Sequence, residues 1–121
     1  MRIHRLSITA FGPFADTAEV DFDDLSAAGL FLLSGATGSG KTSVLDAICF
    51  ALYGQVPGDR STAGRYRCDT AAPGLAPRVE LETTLSGRRF RIIRSPMWDR
   101  PKKRGVGTTR EQAHVTIEDR L

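Results

Sequence analysis

Residues 35–42 read Gly35-Ala36-Thr37-Gly38-Ser39-Gly40-Lys41-Thr42 and match the phosphate-binding loop pattern G-x-x-x-x-G-K-[ST] at every position. The neighbours suit the motif. The apolar run Leu30-Phe31-Leu32-Leu33 comes directly before, and residues 43–53, which are apolar-rich and free of Gly and Pro, come directly after. That is the strand–loop–helix order such a loop needs. Several successive backbone N–H groups must converge on one anion, and the glycines Gly35, Gly38 and Gly40 permit that curvature because they carry no Cβ. The helix beginning near Gly40 adds its unpaired N–H groups and the positive end of its dipole. Ala36, Thr37 and Ser39 contribute further loop amides. Lys41 is placed to reach the β- and γ-phosphates of a nucleotide, and the Thr42 hydroxyl to ligate Mg²⁺. Ser43 is either a donor to the α-phosphate or an ordinary residue of the first helical turn.

The 121 residues are enough for one domain with a core, and 40% hydrophobic with 26% charged residues is ordinary globular composition. No apolar run approaches the roughly 20 residues of a membrane span. Met1-Arg2-Ile3-His4-Arg5-Leu6 has no secretory apolar region. Cys49 and Cys68 form no C-x-x-C pair, so a reducing, cytoplasmic setting is expected. Cys49 reads as a buried helical thiol and Cys68 as a residue of a polar loop. The net charge of +3 is unevenly placed. Residues 88–104 hold eight Arg or Lys and one acid, Asp99, whereas the other 104 residues hold nine bases and thirteen acids. The basic surplus belongs to one segment, which suggests an anionic partner.

Leu6, Ile8 and Ala10 alternate with Ser7 and Thr9, predicting a half-buried strand that Gly12-Pro13 breaks. Val20 and Phe22 alternate with acids and predict a second strand, paired with the first as a hairpin. Residues 30–34 read as a central strand, and residues 41–53 as a helix covered on most sides, with Gly54 as its stop. Residues 55–77 have no sustained period and predict local turns or a short helix. Val79, Leu81, Thr83 and Leu85, then Phe90 and Ile92, flank the turn Ser86-Gly87 as a β-hairpin that Pro96 ends. Residues 100–107 read as a basic loop. Ala113, Val115 and Ile117 alternate in a final strand, which by itself would expose an edge and an apolar face.

The chain contains no Asn, hence no N-K-x-D, and no D-x-x-G, which disfavours a GTPase. Ser43-Val44-Leu45-Asp46-Ala47-Ile48 resembles the G-K-[ST]-x-x-L-[DE]-A-[IL] string of the chromosome-maintenance and DNA-repair branch of ABC-type ATPases. Ala10-Phe11-Gly12-Pro13-Phe14-Ala15, Val79-Glu80-Leu81 with Phe90-Arg91-Ile92-Ile93-Arg94-Ser95-Pro96, and Arg100-Pro101-Lys102-Lys103-Arg104-Gly105 are similar to strings of the SbcC family, in the same order and at similar spacings.

That resemblance implies an α/β fold: a P-loop NTPase, specifically an ABC-type ATPase head lobe, with a mixed sheet, an N-terminal antiparallel β portion and a phosphate-loop helix. Residues 1–121 would be the N-terminal segment (lobe I) of a split head, incomplete alone and with no second domain. The implied cofactors are ATP and Mg²⁺. The implied partners are the C-terminal half of its own head, a second copy of the head, an SbcD-like nuclease and DNA ends, with no membrane and a nucleoid-associated cytoplasmic location. Nucleotide would be held by residues 35–43, with Lys41 as the catalytic cation and Thr42 as the metal ligand. Arg100, Lys102, Lys103 and Arg104 are candidates for DNA phosphate contact, against the alternative of a solvated loop. Trp98 reads as a packing residue. After residue 42 no apolar strand ends in a second Mg²⁺-holding carboxylate, so either the chain is a fragment or truncated product, or another chain supplies that group. The rival readings are a segment of another SMC-like recombination ATPase and a non-catalytic nucleotide-binding remnant.

Overall fold

The structure, a computed structural model, describes residues 2–23, 38–55, 66–68 and 70–119, with the helical backbone alone for residues 38–43. The strand expected at residues 30–34 and residues 56–65 and 69 of the turn-rich stretch expected at residues 55–77 lie outside the described residues.

Seven strands and one helix follow in chain order: β1 (Arg2–Phe11), β2 (Phe14–Asp21), α1 (Gly38–Tyr53), β3 (Arg78–Leu85), β4 (Arg88–Ser95), β5 (Trp98–Pro101), β6 (Thr108–Glu111) and β7 (His114–Asp119). Five form one sheet in the order β2-β1-β3-β4-β7, and β5 pairs with β6 alone. Every pairing between the described strands is antiparallel. The hairpin turns follow from turn chemistry. Gly12 has φ +58 and precedes Pro13, which matches a turn with positive φ at its first central residue only, between Phe11 and Phe14. Ser86 and Gly87 have φ of +51 and +80, the double-positive turn whose twist suits a two-residue hairpin.

Period-two alternation places Leu6 and Ile8 on the same face as Leu81 and Val79, their cross-strand partners. α1 covers this face with Val44, Ala47, Phe50 and Ala51. Leu6, Val79, Leu81, Ala47 and Ala51 are fully buried. At about 25 cal/mol per Å² of apolar area, each large side chain there contributes roughly 1.5–3 kcal/mol. The opposite face is ionic. Arg89 meets Glu82 at 2.9 Å, Arg5 meets Asp21 at 3.6 Å, and Arg91 bridges Glu80 and Glu118. The hydrogen bond from Arg91 to Glu80 raises its guanidinium pKa further above the ordinary arginine value.

The burial of β1 and of α1 differs from the sequence expectation. β1 is not half-buried: residues 6–11 are all buried, Ser7 and Thr9 included. It lies between β2 and β3, so side chains from both neighbours close over its polar face, and Thr9 and Thr17 hydroxyls bond at 3.0 Å. α1 is covered on one side rather than most, with Leu45 52% and Tyr53 73% exposed. Phe50 joins the buried face while Ile48 and Leu52 are half-buried.

A bulge at each end of β1 shapes its surroundings. At His4 the pairing with β3 shifts register, and the ring bridges Asp23 and Thr84: Nδ1 lies 3.0 Å from both carboxylate oxygens and Nε2 lies 2.6 Å from the hydroxyl. That bond to His4 lowers the Asp23 pKa below the usual carboxylate value. At Ala10, φ is +50. The bulge turns the strand tip toward residues 66–68: Cys68 N–H donates to the Ala10 carbonyl and Gly12 N–H to the Tyr66 carbonyl, both at 2.8 Å. Phe11, Phe50 and Tyr66 then form an aromatic trio with centroids 5.0–5.8 Å apart. Among the described residues no helix is long and apolar enough to cross a membrane.

Candidate functional site: the start of α1 and the β5–β6 arm

Of the nucleotide residues expected from sequence, Gly35, Ala36 and Thr37 lie outside the described residues. Gly38, Ser39, Gly40, Lys41, Thr42 and Ser43 form the opening turns of α1, which starts at Gly38, two residues earlier than expected. The first turn contains no acidic residue. Its free N–H groups and the positive dipole end therefore face no carboxylate on that turn, and this donor set fits a phosphate. The buried face that begins at Val44 fixes the helix on the sheet immediately behind this turn.

The other end of α1 is anchored from outside. The helix has no basic residue in its last turn. Arg94 of β4 supplies the cation instead: its Nε donates to the Ala51 carbonyl at 3.1 Å. Gly54 ends the helix with φ +80, and its N–H donates to the Phe50 carbonyl at 2.8 Å. A cavity of about 310 Å³ opens at this C-terminal end, lined in part by Phe50, Tyr66, Arg94, Met97 and Val115. It lies at the opposite end of the helix from the phosphate-loop residues.

The basic segment divides sharply. Arg88 pairs with Asp119, Arg89 with Glu82, Arg91 with Glu80 and Glu118, and Arg94 with the end of α1. Residues 100–107, expected as a loop, begin as a strand: Arg100 and Pro101 belong to β5 and pair with Thr109 and Thr108. The sequence reading missed this two-stranded sheet. Its available signal was charge order, since Asp99 faces Arg110 directly and Arg100 lies diagonal to Glu111 across the ribbon. Arg100 reaches Glu111 at 2.7 Å and Arg110 reaches Asp99 at 3.2 Å. Lys102, Lys103 and Arg104 occupy the exposed connection and make no ion pair among the described residues.

Trp98 at the root of the arm is a packing residue, 9% exposed, with the Arg67 guanidinium 5.2 Å from its ring centroid. Arg67 also donates to the carbonyls of Leu75, Cys68 and Ala72, holding that turn against the arm root. Burial of the two thiols differs from expectation. Cys68 is buried, packed near Ala10 and Ala71 with Sγ 3.2 Å from the Thr70 hydroxyl, and Cys49 is half-buried.

The sequence profile of the AAA domain family matches residues 5–120. The chain is similar to the SbcC subunit of the SbcCD nuclease of Vibrio cholerae, 49% identical over 117 residues, which are 97% of this chain and 12% of that protein. The SbcC subunit of Lactococcus lactis is 36% identical over 118 residues, 96% of this chain and 11% of that protein. A probable DNA double-strand break repair Rad50 ATPase of Aquifex aeolicus is 37% identical over 95 residues, 78% of this chain and 9% of that protein. The chain thus spans about a tenth of the length of these relatives. With a match covering nearly its whole length, the chain belongs to the AAA domain family, and its relatives there include SbcC subunits and a Rad50-type ATPase.

Proposed function

We propose that this chain is the ATP-binding N-terminal segment of a split ATPase head in an SbcC-like DNA double-strand-break repair protein. The observation that carries the proposal is the complete phosphate-loop string in the sequence, whose residues 38–42 open α1, in a chain 49% identical to an SbcC subunit. The amides of residues 35–40 cradle the phosphates, Lys41 neutralises charge on the β- and γ-phosphates, and Ser43 donates to the α-phosphate. The Thr42 hydroxyl would hold Mg²⁺, which would supply positive charge to the phosphates. The rest of the head, supplied by the remainder of the protein, brings the second carboxylate and the group that orients water. Two such heads close on nucleotide, and the closed state controls the access of DNA ends to an SbcD-like nuclease. The protein works on chromosomal DNA in the cytoplasm.

The first test is Lys41→Ala in the full-length protein, read as ATP affinity by equilibrium binding. Loss of detectable binding is expected, because a buried phosphate loses its point-charge partner. Unaltered affinity would remove the phosphate-loop assignment.

A further inference from the structure

We infer that the cavity at the C-terminal end of α1 is a binding site for a small monocarboxylate with an apolar body, its anion held by the Arg94 guanidinium. The site is distinct from the phosphate-loop residues, which open the same helix at its other end.

Three observations support it. First, the size and the walls suit such a ligand. The cavity measures about 310 Å³, at the lower end of the range that small-molecule sites occupy. Phe50, Tyr66, Met97 and Val115 give it aromatic and aliphatic walls, and the Arg94 guanidinium and the His114 imidazole are set among them. A few polar groups in apolar walls fix the orientation of a ligand whose body the walls bury. Second, Arg94 is a cation without an anion. Valine stands directly opposite it on both neighbouring strands, Val79 of β3 and Val115 of β7. Arg88, Arg89 and Arg91 of the same strand each meet a carboxylate, whereas Arg94 makes no ion pair among the described residues. A carboxylate that reaches a guanidinium among apolar side chains is held more strongly than in open water, because the local dielectric constant is lower. Third, the guanidinium is held ready. Its Nε donates to the Ala51 carbonyl at 3.1 Å, which fixes the plane of the group. A Cβ at Gly54 would stand 2.9 Å from Nη1, so the bare glycine, which also lines the cavity, leaves that nitrogen its space. Nη1 and Nη2 have no hydrogen-bond partner among the described residues. Donors spread over one planar group match the two oxygens of a carboxylate, and a single guanidinium balances a single negative charge.

The experiment uses the full-length protein without nucleotide. Hydrocinnamate is the test ligand and hydrocinnamyl alcohol its neutral counterpart, with affinities read by ligand-observed NMR titration. The acid is expected to bind at least about tenfold more tightly than the alcohol, which lacks the charge-assisted pair. Arg94→Gln is expected to weaken the acid by about the same factor and to leave the alcohol unchanged. Val115→Trp fills the cavity from a position 43% exposed without removing Arg94, and should weaken both ligands while the protein stays folded. Lys41→Ala should leave the affinity for the acid at the wild-type value, because Lys41 lies at the far end of α1.

Several results overturn the assignment. Equal affinity for acid and alcohol removes Arg94 as the anion's partner. Wild-type affinity for the acid in Val115→Trp places the binding outside the cavity, and this variant decides the matter if Arg94→Gln unfolds the end of α1. Loss of the acid in Lys41→Ala assigns it to the phosphate loop instead. Absence of binding to the wild-type protein, as when the remainder of the polypeptide fills the cavity, removes the proposal and leaves the ATP-binding reading as it stands.

Discussion

At the scale of single residues, the end of α1 shows how one glycine serves two constraints. Gly54 has φ +80, and a Cβ there would stand 2.9 Å from Arg94 Nη1. The left-handed conformation alone costs a residue with a side chain about 1–2 kcal/mol. The contact adds to that because Arg94 is held by the Ala51 carbonyl. Gly54→Ala in the full-length protein is therefore expected to lower stability by about 1–2 kcal/mol or more, measured by denaturant unfolding. Unchanged stability would show that the helix end relaxes freely. Gly54 as a stop was legible in the sequence because it directly follows an apolar helical run. Arg94 as the cap was not, since 40 positions separate it from Gly54 and it belongs to a run of arginines that sequence alone treats alike.

Elements were legible where local chemistry and period agreed. The two hairpins were readable because Gly12-Pro13 and Ser86-Gly87 impose their turns and the flanking alternation sets register. β3 is the middle of that agreement. Leu81 is fully buried between Leu6 of β1 and Ile92 of β4. Leu81→Ala should cost about 2–5 kcal/mol, because the sheet and α1 can collapse only partly into the space. A thermal shift near zero in the full-length protein would place Leu81 outside the core. The arm was missed for a physical reason: its four-residue strands contain Pro101 and four charged residues, so no apolar period exists to announce them. Their stabilisation comes from cross-strand ion pairs, and pairing partners ten or so residues apart are chosen in three dimensions.

For the whole molecule, the described residues form a sheet with one ionic face, one face covered by α1, and a separate cationic arm. The edge strand β7 leaves Val115 43% and Ile117 61% exposed. Exposed apolar residues along a sheet edge suit a surface that further chain covers. The 121 residues alone are expected to show no steady ATP turnover above that of a matched Lys41→Ala preparation, since a phosphate loop lacks the second carboxylate and the water-orienting group. Turnover that Lys41→Ala abolishes would contradict the split-head proposal. The sequence by itself determined the phosphate-loop string, the hairpins, the helix and its glycine stop, because each follows from residues adjacent along the chain or from turn geometry and periodicity. The tertiary structure alone decided which charges are spent. Of eight cations that look equivalent in residues 88–104, five are held by carboxylates or a helix end and three remain at the arm tip. The reason is that ion pairing depends on distances of about 4 Å across strands, which the order of residues does not specify until the strands are paired.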